Sequence, residues 1–75
     1  MHYWLIDVKP KKATRWEAWA LMRGGKLHDH LPIVHRLPTI LEGAAEEFRI
    51  RVISEKEAAQ RVSLGTKMLS KKEGC

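Results

Sequence analysis

Three imidazoles and a carboxylate fall within eight residues, at His28, Asp29, His30 and His35. Imidazole suits zinc, copper or nickel, and on an extended backbone His28 and His30 would project to the same side. The spacing matches no zinc signature and no cysteine accompanies it. The segment therefore reads as a solvated polar loop, with a metal site as the alternative, and no metal ligand or cofactor is assigned. For hydrolysis the suitable side chains are Asp7, Asp29, His30, His35 and Ser54, and nothing in their spacing gathers them into one cleft. Gly24-Gly25-Lys26 lacks the longer glycine spacing and the following Ser or Thr of a phosphate loop. The chain is read as acting by binding, not as an enzyme.

Cations interleaved with aromatic residues carry the stronger hint. Lys9, Lys11, Lys12 and Arg15 lie beside Trp16, Arg49 and Arg51 alternate along one segment, and Arg61, Lys67, Lys71 and Lys72 load the C-terminal region. Residues 1–36 hold seven Lys/Arg against three acids, residues 37–60 three against five, and residues 61–75 four against one, for a net charge of +5 over 75 residues. Arg49, Arg51, Arg61, Lys67, Lys71 and Lys72 are the expected contacts to nucleic-acid phosphate, a contact that positions a protein without specifying sequence. Trp16 and Trp19, with Lys11, Lys12 and Arg15, are the expected partner-binding set, because Trp and Arg are enriched at interface hot spots. The bland alternative is that these charges only solvate the surface. Two functions follow. The leading one is a small basic regulator or accessory factor associated with nucleic acid or with a nucleic-acid-bound protein. The other is a protein-binding inhibitor or adaptor of the kind that phages and mobile elements encode, blocking a larger host machine.

The elements that must position these residues are constrained by size. A chain this short buries only roughly 60% of its unfolded surface on folding, so a lone monomer is marginal and a homodimer is a natural expectation. Hydrophobic residues at 44% and charged residues at 31% are globular values. Trp4, Trp16 and Trp19 are expected at the centre of the core. Cys75 is the only cysteine, so no disulfide within the chain is available, which favours a reducing, cytoplasmic setting. The longest apolar run, residues 18–22, is far short of the roughly 20 residues that cross a bilayer. No membrane association is expected.

Residues 3–8, aromatic and β-branched, read as a strand buried on both faces. Thr14 and Glu17 have capping-box spacing, and Trp16, Trp19 and Ala20 recur at i, i+3 and i+4, which predicts a helix over 15–23 ended by Gly24-Gly25. The rival reading is a strand, which would make a hairpin-led fold with Trp16 and Trp19 on opposite sides. Residues 26–30 read as irregular and 31–37 as a short strand limited by Pro32. Leu37, Ile40, Leu41, Ala44, Ala45 and Phe48 predict an amphipathic helix, with Pro38 in its first turn. Phe48, Ile50 and Val52 alternate with arginines as in a half-buried strand, and Ser54 with Glu57 caps a further helix that Gly65 ends. The reading is α/β, with about three strands and three helices in β-α-β-α-β-α order and a small α+β fold as the alternative. Residues 1–65 form a single compact domain and 66–75 a basic tail or short helix.

The stretch Ser54 to Leu69, with its Glu57-Ala58-Ala59 start and Val62 one turn on, resembles the opening of the helix-turn-helix in excisionase-type regulators. Ser63 stands where a turn glycine is usual. The resemblance implies a recognition helix over Thr66 to Lys72.

Overall fold

The computed structural model describes residues 2–43 and 45–69. Among these residues four strands form one open sheet: β1 (His2–Pro10), β2 (Glu17–Arg23), β3 (Ala45–Ser54) and β4 (Lys67–Leu69), in the order β3-β1-β2-β4. Two helices accompany them, α1 (Leu31–Ile40) after a 3-10 turn at Leu27–His30, and α2 (Glu55–Ser63). The fold is α+β, the alternative reading, and the β-α-β-α-β-α order with three helices is overturned. Among the described residues no helix is long and apolar enough to cross a membrane.

β1 is the central strand, antiparallel to β2 on one side and to β3 on the other. Its side chains alternate between two packed faces. Ile6 and Val8 join Ala20 and Met22 beneath Ile33 and Leu37 of α1 and the following Leu41, while Leu5 joins Leu21 and Ile53 beneath Ala58 of α2. This is why residues 3–8 read as doubly buried: the strand is covered on both sides. The tryptophans are only half-buried, and the fully enclosed side chains are Leu5, Ile6, Leu21, Met22 and Leu37, so the expectation of a tryptophan-centred core is corrected.

The segment expected as a helix over 15–23 is β2. The pairing jumps from Ile6 with Ala20 to Asp7 with Ala18, leaving Trp19 as an extra residue. Such a bulge breaks the period of two, and here it produces the 16, 19, 20 spacing that imitates a helix. Trp16 and Trp19 do fall on opposite sides: Trp16 lies over Arg49, and Trp19 packs with the α1-covered cluster. The expected strand over 31–37 is the body of α1, whose buried residues Ile33 and Leu37 are one helical turn apart. Pro32 occupies its first turn, where the missing amide is harmless, and Pro38 sits inside the helix near its end. The expected helix beginning at Leu37 is cut short because the chain turns at Gly43, with φ of 79°, and residues from Ala45 onward enter β3. α2 begins where read, with the Ser54 hydroxyl accepting the Glu57 amide at 3.2 Å. Lys67–Leu69 then pair in parallel with β2 as a short strand, so the recognition helix implied for Thr66 to Lys72 is not formed there.

Leu37 is the α1 residue most enclosed against the sheet. Leu37→Ala should cost about 2–5 kcal/mol in urea unfolding followed by tryptophan fluorescence, whereas Leu31→Ala, at an exposed position, should stay within about 0.5 kcal/mol. Equal effects would mean that α1 does not cover the sheet.

Candidate nucleic-acid interface

Asp7 is the one charged side chain in the buried stretch of β1, on the face that carries Leu5 and α2. The β1–β3 register sets Arg49 opposite Asp7 and Arg51 opposite Leu5, so both arginines lie within reach of one carboxylate. The Nε–H of Arg49 donates to Asp7 Oδ2 at 3.0 Å and that of Arg51 to the same oxygen at 2.9 Å. A buried carboxylate without partners would be prohibitive, and two charge-assisted hydrogen bonds offset that cost. The Asp7 side chain is 5% exposed, while those of Arg49 and Arg51 are 48% and 42% exposed. Each guanidinium thus spends one N–H inward on Asp7 and carries four more.

Neighbouring groups fix the forks further. Arg51 Nη1 lies 3.6 Å from Glu57 Oε2 on α2. The Arg49 guanidinium stacks 4.5 Å from the centroid of Trp16, a cation–π contact that orients the planar group. Trp16 ends the connection between β1 and β2, which turns where the Ala13 amide bonds to the Pro10 carbonyl at 3.0 Å and Lys12 takes φ of 65°. That turn exposes Lys11, Lys12 and Arg15, and Lys9 lies at the end of β1 opposite Glu47. The arginine pair is compensated by Asp7 and Glu57. Surplus positive charge comes from the hairpin, where Lys11, Lys12 and Arg15 are exposed and Lys9 lies opposite Glu47.

The structure therefore joins residues that the sequence reading kept in two sets. Trp16, Lys11, Lys12 and Arg15, expected to bind a protein partner, share one end of the sheet with Arg49 and Arg51, expected to bind nucleic acid. Trp19 and Lys67 are elsewhere, with Lys67 Nζ 4.0 Å above the Trp19 ring on the α1 side of the sheet. Arg61 is half-buried on α2 and no contact among the described residues ties it to the cluster. Lys71 and Lys72 lie outside the described residues. Asp7, the anchor, stood out in the sequence only as one of several side chains suited to hydrolysis, with no spacing that tied it to the arginines.

The histidines are dispersed. His28 is exposed beside Asp29 at 3.3 Å, His35 is exposed on α1, and buried His30 bonds through Nε2 to the Gly24 carbonyl at 2.8 Å. Among the described residues no three His, Cys, Asp or Glu side chains are grouped to hold a metal ion. His2 and Trp4 meanwhile bond through their ring nitrogens to the Gly25 carbonyl at 2.6 and 3.1 Å, so this segment locks the glycine corner onto the start of β1.

Comparison with protein-family models, curated proteins and solved structures returns no match for this chain.

Because the carboxylate is the buried partner, the cluster should respond asymmetrically to mutation. Asp7→Ala leaves half-exposed guanidiniums that water can solvate and should cost on the order of 1–2 kcal/mol. Arg49→Ala combined with Arg51→Ala strands a buried charge and should cost at least about 3 kcal/mol. Urea unfolding of the two variants checks this order, and a larger loss for Asp7→Ala would reverse the assignment of the buried partner.

Proposed function

We propose that this chain binds nucleic acid through the hairpin end of its sheet, as a small cytoplasmic regulator or accessory factor with no catalysis of its own. The observation that carries this reading is the stacked Arg49–Trp16 pair, set beside Arg51 over a shared carboxylate and next to four hairpin cations. Guanidiniums anchored through Nε keep their outer N–H groups aligned, so little side-chain freedom is lost when a phosphate oxygen is bound. Lys9, Lys11, Lys12 and Arg15 supply the unspecific attraction. The lone cysteine agrees with a reducing compartment.

A second reading, protein binding as an inhibitor or adaptor, is favoured by a different surface. Val62, Leu64 and Met68 are exposed along the end of α2 and β4, Leu64 to 78%. A stoichiometric protein partner that survives nuclease treatment and is lost on Leu64→Glu would support it.

The test of the leading reading is fluorescence anisotropy with labelled single- and double-stranded oligonucleotides over a range of salt. Affinity should fall as salt rises, and replacing Lys11, Lys12 and Arg15 together with Ala should reduce the log–log slope by on the order of 2–3. Lys67→Ala should leave the slope unchanged. No binding at low salt, or a slope set by Lys67 and indifferent to the hairpin, would contradict the proposal.

A further inference from the structure

The sheet has two edges of unequal character. β4 is three residues long, whereas β3 is ten, and all of β3's pairing is to β1 on its inner side. No strand among the described residues pairs with its outer edge. A long open edge is a template for another strand, and proteins that keep such an edge solitary blunt it with proline, bulges, extreme shortness or charged side chains. The charges along β3, Glu47, Arg49 and Arg51 among them, are of both signs, which complement rather than repel an antiparallel copy. β3 has no proline, and its one register slip against β1 falls at its very start, by Pro10 and Ala45. Its apolar side chains Phe48 and Val52 are 36% and 56% exposed on the side where Val8 and Trp4 lie.

We propose that the outer edge of β3 pairs antiparallel with the same edge of a second copy of this chain, about a two-fold axis at Arg49, forming one continuous eight-stranded sheet. The side-chain pattern selects both the partner and the register. An axis normal to the sheet keeps the two faces distinct, so a residue meets only one of the same face. Centred on Arg49, Glu47 of each copy faces Arg51 of the other and Phe48 faces Ile50, giving two opposite-charge pairs and two apolar pairs. Centring on Ile50 would set Arg49 against Arg51 twice. Centring on Phe48 would limit the overlap to residues 45–51, against 45–53 when centred on Arg49, where Val52 takes the register position opposite residue 46. At the chosen axis the two Arg49 side chains are neighbours, and each already has the Asp7 carboxylate of its own chain at 3.0 Å and is stacked on Trp16. The like-charge contact is thereby compensated from within each copy. A consequence is that both Arg49–Trp16 pairs and both Arg51 side chains come onto one face. That this joined face serves as a longer nucleic-acid track rests on the function proposed above; the pairing itself does not.

The experiment is run without nucleic acid, so that its failure and the failure of oligonucleotide binding are read separately. Sedimentation equilibrium of the unaltered chain under reducing conditions should give twice the 8.7 kDa of one copy. With Cys75→Ser removing the only native thiol, Arg49→Cys should oxidise to a covalent dimer, because Cα atoms across an antiparallel pair are about 4.5–5.5 Å apart, within disulfide range. Val52→Cys in the same background should stay monomeric on denaturing gels, since its counterpart would lie roughly 20 Å away along the strand. An 8.7 kDa species at every concentration tested, or cross-linking of Val52→Cys in preference to Arg49→Cys, would overturn the proposal.

Discussion

The structure depends on β1 being buried on both faces. A strand in that position needs a partner on each side and a cover above and below. The chain supplies them in turn: β2 by a hairpin, α1 over one face, β3 on the other side, and α2 over the second face. With 75 residues the second cover is incomplete. α2 packs Ala58 onto Leu5, Leu21 and Ile53, and the hairpin end of that face is left without a helix among the described residues. Asp7 stands at the boundary between the covered and open parts. A carboxylate is tolerated there because the neighbouring strand brings two arginines to it.

That arrangement links stability to surface chemistry. The arginines that satisfy Asp7 are the same groups that present aligned donors to solvent, and Trp16 holds one of them flat. The anchoring is electrostatic and local, while the exposed lysines of the hairpin carry charge that no contact among the described residues holds in place. In the proposed function anchored forks and diffuse lysines would do different work, the first fixing geometry and the second raising encounter rate and affinity at low salt. The compensated charge of the cluster also makes the proposed antiparallel pairing of β3 edges tolerable at Arg49, so the core, the proposed binding face and the proposed self-association edge would share one contact.

What was legible in the sequence was what neighbouring residues decide among themselves. β1 announced itself by continuous apolar β-formers, β3 by the alternation of Phe48, Ile50 and Val52 with arginines, and α2 by the Ser54–Glu57 cap. β2 was hidden because the extra residue at Trp19 converts a strand's period into a helix-like spacing. α1 was displaced because Pro32 and the β-branched Ile33-Val34 pair outweighed a helical period that Ile33 and Leu37 already carry, and the apolar residues beyond Gly43 lengthened it falsely. The candidate site was half legible. Its residue types were all noticed, yet the pairing of Asp7 with Arg49 and Arg51, and of Arg49 with Trp16, is created by strand register between residues more than thirty positions apart, which no local spacing encodes.

The most direct measurement is a nuclear magnetic resonance titration of the labelled chain with a short single-stranded oligonucleotide at low salt, observing arginine Nε–H and tryptophan indole signals. Arg49, Arg51 and Trp16 should shift together with the amides of the hairpin turn, while the indoles of Trp4 and Trp19 stay in place. Shifts centred on Trp19 and Lys67 with Trp16 unmoved, or no shifts at all, would contradict the proposed interface.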